Sequence, residues 1–216
     1  MNKTEIKKSE DYISDMFDKM SGHFDKGDEK GLAETAKRHI DQITEDSSVK
    51  TAIDVGSGAG GIVIGLLDKD LDFVYGVDLA PSMVEAAQLR LEKKGYLDKS
   101  KIEKISFLDF SFENNFDAVS LHQVLCCHPD RQSMLAKAIS AKPKIIVMTL
   151  PRTRLFFRLG AGLLAQIRKI KKGFRFYVHD IKKIDNQLAE ANYELIDTYK
   201  KFFWNTRTYK LKTNKL

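Results

Sequence analysis

Apolar positions between residues 51 and 150 fall into five short runs: Thr51 to Val55, Asp72 to Asp78, Ile102 to Leu108, Phe116 to Leu121 and Lys144 to Leu150. Each is bounded by polar or glycine-rich residues, as buried strands are. Between them the apolar residues recur at helical spacing, over 61–69, over Met83, Val84, Ala87 and Leu91, and over 130–140. Strands alternating with helices predict an α/β fold, a doubly wound, largely parallel sheet with helices on both faces. Ahead of this lie an amphipathic helix over 3–21, carrying Ile6, Tyr12, Ile13, Met16, Phe17 and Met20, and a second helix from about Glu29 to Thr44. Behind it, Asp180 caps a helix to about Glu190, a sixth strand begins over Ala191 to Asp197, and Phe202 to Thr206 leads into a seventh ending near Leu211.

The first strand runs into the stretch Asp54-Val-Gly-Ser-Gly-Ala-Gly-Gly61. Strand, glycine loop and helix are the layout in which backbone N–H groups approach a ligand closely. Gly56-x-Gly58-x-x-Gly61 fits the dinucleotide fingerprint by spacing, and Asp78, about 20 residues on, stands where an acid accepts from ribose hydroxyls. Asp54 separates the candidate ligands. A carboxylate at the mouth of the loop repels a pyrophosphate but favours the sulfonium and α-ammonium of S-adenosylmethionine (SAM).

On these residues the chain resembles motif I of the class I SAM-dependent methyltransferases. The resemblance implies a Rossmann-like seven-stranded sheet with an antiparallel C-terminal strand. It puts Gly56, Gly58 and Gly60 at the methionine end of SAM and Asp78 at the ribose, with Asp54, Ser57, Leu79, Met83, Leu121 and Phe17 as further cofactor-binding residues. Asp109 and Phe110, after the third strand, would meet the adenine, although Asp109 also reads as a turn or cap residue. The segment Phe17-Asp-Lys-Met-Ser-Gly-His-Phe-Asp25 is similar to the entry segment that folds over the cofactor in many small-molecule methyltransferases; it reads equally as a helix packed on the sheet.

The fourth strand continues into His122-Gln-Val-Leu-Cys-Cys-His-Pro-Asp130, which resembles a segment of quinone and sterol C-methyltransferases and, more loosely, of the magnesium-protoporphyrin O-methyltransferases. Cys126 and Cys127 stand where those relatives carry histidine. His128 is then either the surrogate or a solvated loop residue. A hydroxyl acceptor needs a general base, and His122 and His128 are the candidates, with His179 and Tyr12 behind them. No metal-ligand spacing is visible.

The 216 residues are expected to form one domain, with residues 1–48 as a helical cap and 151–175 as an insertion over the acceptor pocket. No run of about 18 apolar residues predicts a spanning helix. The polar N-terminus is unlike a signal peptide, and two adjacent cysteines suit a reducing cytoplasm. Residues 1–141 carry 18 Lys+Arg against 25 Asp+Glu, whereas 142–216 carry 18 against 5. Eight of those cations and no acid fall within 151–175, interleaved with Leu155, Phe156, Phe157 and other apolar residues. A basic amphipathic helix there suits a lid over an amphiphilic acceptor, a peripheral contact with an anionic membrane, or simply a solvated face. The expected reaction is therefore SAM-dependent methylation of a small apolar or amphiphilic acceptor. Two rivals are an NAD(P)-dependent oxidoreductase and, disfavoured by the lack of an amino-methylation motif after the fourth strand, a nucleic-acid methyltransferase. Oligomeric state is not legible.

Overall fold

A computed structural model describes residues 2–24, 32–112, 115–152 and 177–213. Two helices lead, α1 (Lys3–Phe24) and α2 (Glu34–Thr44). The alternating unit follows as β1 (Thr51–Val55), α3 (Gly61–Leu67), β2 (Phe73–Asp78), α4 (Pro81–Lys94), β3 (Ser100–Lys104), β4 (Ala118–His122), α5 (Arg131–Ser140) and β5 (Ile145–Pro151). Then come α6 (Ile181–Glu190), β6 (Tyr193–Lys201) and β7 (Trp204–Leu211). The seven strands form one sheet in the order β3-β2-β1-β4-β5-β7-β6, parallel except where β7 runs antiparallel to both neighbours.

Local chemistry explains the element ends. Gly60 caps α3 with φ +77°, a conformation an L side chain rarely holds, and a Cβ there would meet Ala87. Pro81 opens α4 at a position whose N–H has no partner to lose. Asp130 and Asp180 cap α5 and α6 by accepting from Ser133 N–H and Lys182 N–H.

Successive strand residues face opposite sides, and both sides are buried. Ala52, Val74, Ile145 and Val147 pack under α2, α3 and α4. Ile53, Val55, Val119, Ile146 and Met148 pack with α5, α6 and a cluster of Phe107, Phe110 and Phe116. That two-sided burial is why the runs are near-continuous in apolar residues.

Two expectations shift. The third strand covers 100–104 rather than 102–108. Its pairing stops where β2 stops, at Asp78 opposite Lys104, after which Ile105 N–H bonds Asp78 O and a turn closes on Ser106 O. Ile105 and Phe107 keep the alternation of a strand because they face a cavity, not a neighbouring strand. The basic helix read over 151–175 lies outside the described residues beyond Arg152, as do 25–31 of the second helix and its approach.

Candidate active site

Strand order reverses between β1 and β4, and a crevice opens there at the C-terminal ends of the strands. A cavity of about 670 Å³ occupies it, roofed by α1. The glycine loop forms one wall. Gly56 N–H and Ser57 N–H both donate to Val77 O, at 2.8 and 3.1 Å, and Gly60 N–H returns to Ser57 O. Gly56 holds φ +68° with Val124 3.0 Å from where a Cβ would stand, so no other residue fits this turn without displacement.

Two carboxylates face this loop. Asp78 accepts from Gly58 N–H at 2.8 Å and from Ala80 N–H at 2.9 Å. Burial nevertheless raises its pKa, outweighing those bonds. Asp54 is 2% exposed. Burial pushes its carboxyl up to about 7, against a hydrogen bond from Ser120 and with the charge of Asp78 adding to the rise. Its Oδ1 has no hydrogen-bond partner among the described residues. A buried acceptor left unpaired is costly, and it marks where a donor of opposite charge would be welcome.

Beneath Asp54 a polar chain crosses the sheet. Ser120 Oγ meets His39 Nδ1 at 2.9 Å, His39 Nε2 meets Thr149 Oγ1 at 2.8 Å, and Thr149 meets Thr206 at 2.8 Å. His39 is wholly buried, and burial holds it well below the usual histidine range. This neutral chain ties α2 to β4, β5 and β7.

The opposite wall belongs to α1, which contributes Glu10, Ile13, Met16 and Phe17. Glu10 is buried and accepts from Ser106 Oγ. His128 Nε2 lies 3.4 Å from the same carboxylate oxygen, while His128 Nδ1 accepts from Asp130 N–H at 3.1 Å. The Asp130 bond assigns the ring proton to Nε2, directed at Glu10. Burial alone would raise the Glu10 pKa, but the bonds from His128 and Ser106 together hold it below the ordinary value. His122 also lines the cavity, with Nε2 2.9 Å from Thr35 Oγ1 and its pKa pushed down by burial to about 4.

Asp54, Gly56, Ser57, Gly58, Asp78, Leu79, Met83, Phe17, His122 and His128 thus converge on one cavity. The remaining expected residues do not line it. Gly60 turns the chain behind the loop, Leu121 is buried in the core, Asp109 is exposed, and Phe110 packs edge-on to Tyr75 and Phe112. Ile105, Ser106 and Phe107 form the wall there instead. Tyr12 is exposed, and His179 bonds Leu125 O away from the cavity lining. Glu10 went unread in the sequence; its one signal is that a carboxylate interrupts the stripe Ile6, Ile13, Phe17 of an amphipathic helix. Trp204, at the start of β7, lines the cavity too and gave no sign in the pattern beyond being the sole tryptophan.

Known proteins agree with this geometry. The sequence profile of a family described as "Methyltransferase domain" matches residues 53–141. The ubiquinone biosynthesis O-methyltransferase of Xanthomonas axonopodis pv. citri (strain 306) is 30% identical over 136 residues, which is 60% of this chain and 56% of that relative. The chain thus aligns with little over half the length of this curated relative. Among solved structures, the magnesium protoporphyrin IX methyltransferase of Synechocystis PCC 6803 with bound SAM superposes with a TM-score of 0.70. Identity there is 15%, over 94% of this chain and 97% of that one. NcsB1, an O-methyltransferase from neocarzinostatin biosynthesis in complex with SAM and a naphthoic acid, gives 0.62 at 19% identity, over 93% of this chain and 58% of that one. The matched segment carries the glycine loop and the two carboxylates that face it, so the chain resembles a methyltransferase domain over these residues, on a sheet whose strand order is that of the Rossmann-like methyltransferase fold.

Proposed function

We propose that the protein transfers the methyl group of SAM to a hydroxyl-bearing, small, apolar or amphiphilic acceptor. The observation that carries this reading is the unpaired, buried Asp54 Oδ1 beside the glycine loop. It suits a cationic ammonium and opposes a pyrophosphate, which sets SAM apart from NAD. Gly56, Ser57 and Gly58 would hold the methionine end together with Asp54, Asp78 the ribose hydroxyls, and Ile105, Ser106 and Phe107 the adenine. SAM supplies an electrophilic methyl on a sulfonium, itself a good leaving group. The chain's own task is then alignment and exclusion of water. Apolar side chains of α1 and Met83 enclose the site. At the acceptor end Glu10, steadied by His128 and Ser106, is the basic group available for a hydroxyl proton. His122 Nε2 is instead engaged by Thr35 Oγ1 at 2.9 Å. The curated relative is named as an O-methyltransferase, which supports oxygen as the methylated atom.

Titration calorimetry with SAM, S-adenosylhomocysteine, NAD and NADP tests the cofactor. Micromolar binding of the first two alone is expected. Asp78→Ala removes two charge-assisted hydrogen bonds, each worth ~1.5–3 kcal/mol, so SAM affinity falls by about two orders of magnitude. Equal binding of NAD, or an unchanged SAM affinity in that variant, overturns the assignment.

A further inference from the structure

The cavity does not end at the glycine loop. A second recess of about 420 Å³ adjoins it, and the two share Leu32, Ala33, Gln123 and Trp204. It runs between the start of α2 and the tip of the β6–β7 hairpin, where Phe202 forms its outer wall.

The hairpin tip breaks two local rules at once. Lys201 pairs with Trp204, which leaves a two-residue turn of Phe202 and Phe203. Such turns call for left-handed backbone, for which asparagine and glycine are the usual choices. Phe202 instead holds φ +46° with a bulky side chain, 77% of it exposed. Strain and a large exposed apolar group coincide at functional places more often than elsewhere. The rim charge is not neutral either. Lys201 is paired with Glu34, whereas Lys37 has no acidic partner among the described residues.

We propose that this recess is the outer half of the acceptor site. The reacting end of the acceptor lies in the main cavity, its apolar body passes Leu32 and Trp204, and its far end leaves past Phe202 and Lys37. The acceptor is accordingly an elongated amphiphile with an anionic or neutral, never cationic, distal end. This rests on the methyltransferase reading for what happens at the inner end, while the recess itself can be probed without any turnover.

Trp204 is the only tryptophan of the chain, so its emission reports on the recess directly. Decanoate and decyltrimethylammonium, both below their micelle concentrations, are titrated into the protein with and without saturating S-adenosylhomocysteine. Decanoate is expected to shift Trp204 emission saturably in both series, at a half-saturation at least fivefold below that of the cation. Lys37→Glu should erase that preference, and Phe202→Ser should weaken decanoate fivefold or more with calorimetric S-adenosylhomocysteine affinity unchanged. An emission that ignores decanoate in both series overturns the inference, as does competition between decanoate and S-adenosylhomocysteine. Loss of S-adenosylhomocysteine binding alone would count against the cofactor reading and leave the recess judged by the cofactor-free series.

Discussion

Asp54 is held where water barely reaches it, and its proton reports the consequence. An unfolded chain gives up this proton near pH 3.8, while the folded chain keeps it to about pH 7. Between those values the folded state binds more protons, so its stability falls as pH rises and levels off above 7. Three pH units correspond to about 4 kcal/mol at pH 8. Asp54→Asn is therefore expected to melt higher than the parent at pH 8 by a substantial part of that amount. Near pH 4 the two should coincide, and SAM affinity should drop at both pH values; scanning calorimetry at the two pH values checks the first part. The same proton links binding to pH. Near pH 6.5 much of Asp54 is protonated, and an ammonium ligand favours the ionised form. SAM binding heats should accordingly differ between phosphate and Tris buffers by a fraction of a proton released. Glu10 obeys the opposite logic, since its native pKa lies below the ordinary one. If it serves as the base, Glu10→Gln should lower kcat by roughly 10²-fold while SAM affinity holds. Turnover would stay level from pH 6 to 8 in the parent. A rise through the range of free histidine, lost in His128→Ala and kept in Glu10→Gln, would transfer the role to His128.

Two elements carry most of what the pattern of residues did not disclose. The helix α1 is anchored by polar bonds at intervals: Glu10 to Ser106 and His128, Ser14 Oγ to Leu79 O at 2.8 Å, and Asp18 Oδ1 to Ser82 N–H at 2.9 Å in the first turn of α4. Ser14→Ala with Asp18→Ala should raise amide exchange several-fold along α1 and leave the sheet protected, as mass spectrometry would read. The hairpin tip offers the converse case. Replacing Phe202 by Gly relieves left-handed strain of roughly 1–2 kcal/mol and should raise Tm, at the expense of the outer recess. Strands β1, β2 and β5 were readable because two-sided burial imposes unbroken apolar runs. The glycine loop, Asp54 and Asp78 were readable because their chemistry is tied to short spacings. Glu10, Ser106 and Trp204 reach the cavity from three distant parts of the chain, and such a meeting is written in no local window. Asp109 and Phe110 lie off the cavity lining for a related reason: the alternation through Ile105 and Phe107 imitates a strand whose pairing ends at Lys104.

For the molecule as a whole, the reversal of strand order places every charged group of the cavity at one end of the sheet, while the polar chain through His39 tethers α2 across the other strands. No helix among the described residues is long and apolar enough to cross a membrane. The strongly basic stretch after β5 remains a sequence-level feature, with Arg152, hydrogen-bonded to the carbonyls of Phe202 and Phe203, as its described base. One feature of the roof bears on traffic rather than on chemistry. Ligand at the glycine loop lies under α1, so it does not exchange freely while α1 is seated. Turnover then carries a toll at the door: a burst of first product followed by a slower steady rate, with the slow rate quickening in the Ser14→Ala, Asp18→Ala variant while the burst stays as it was.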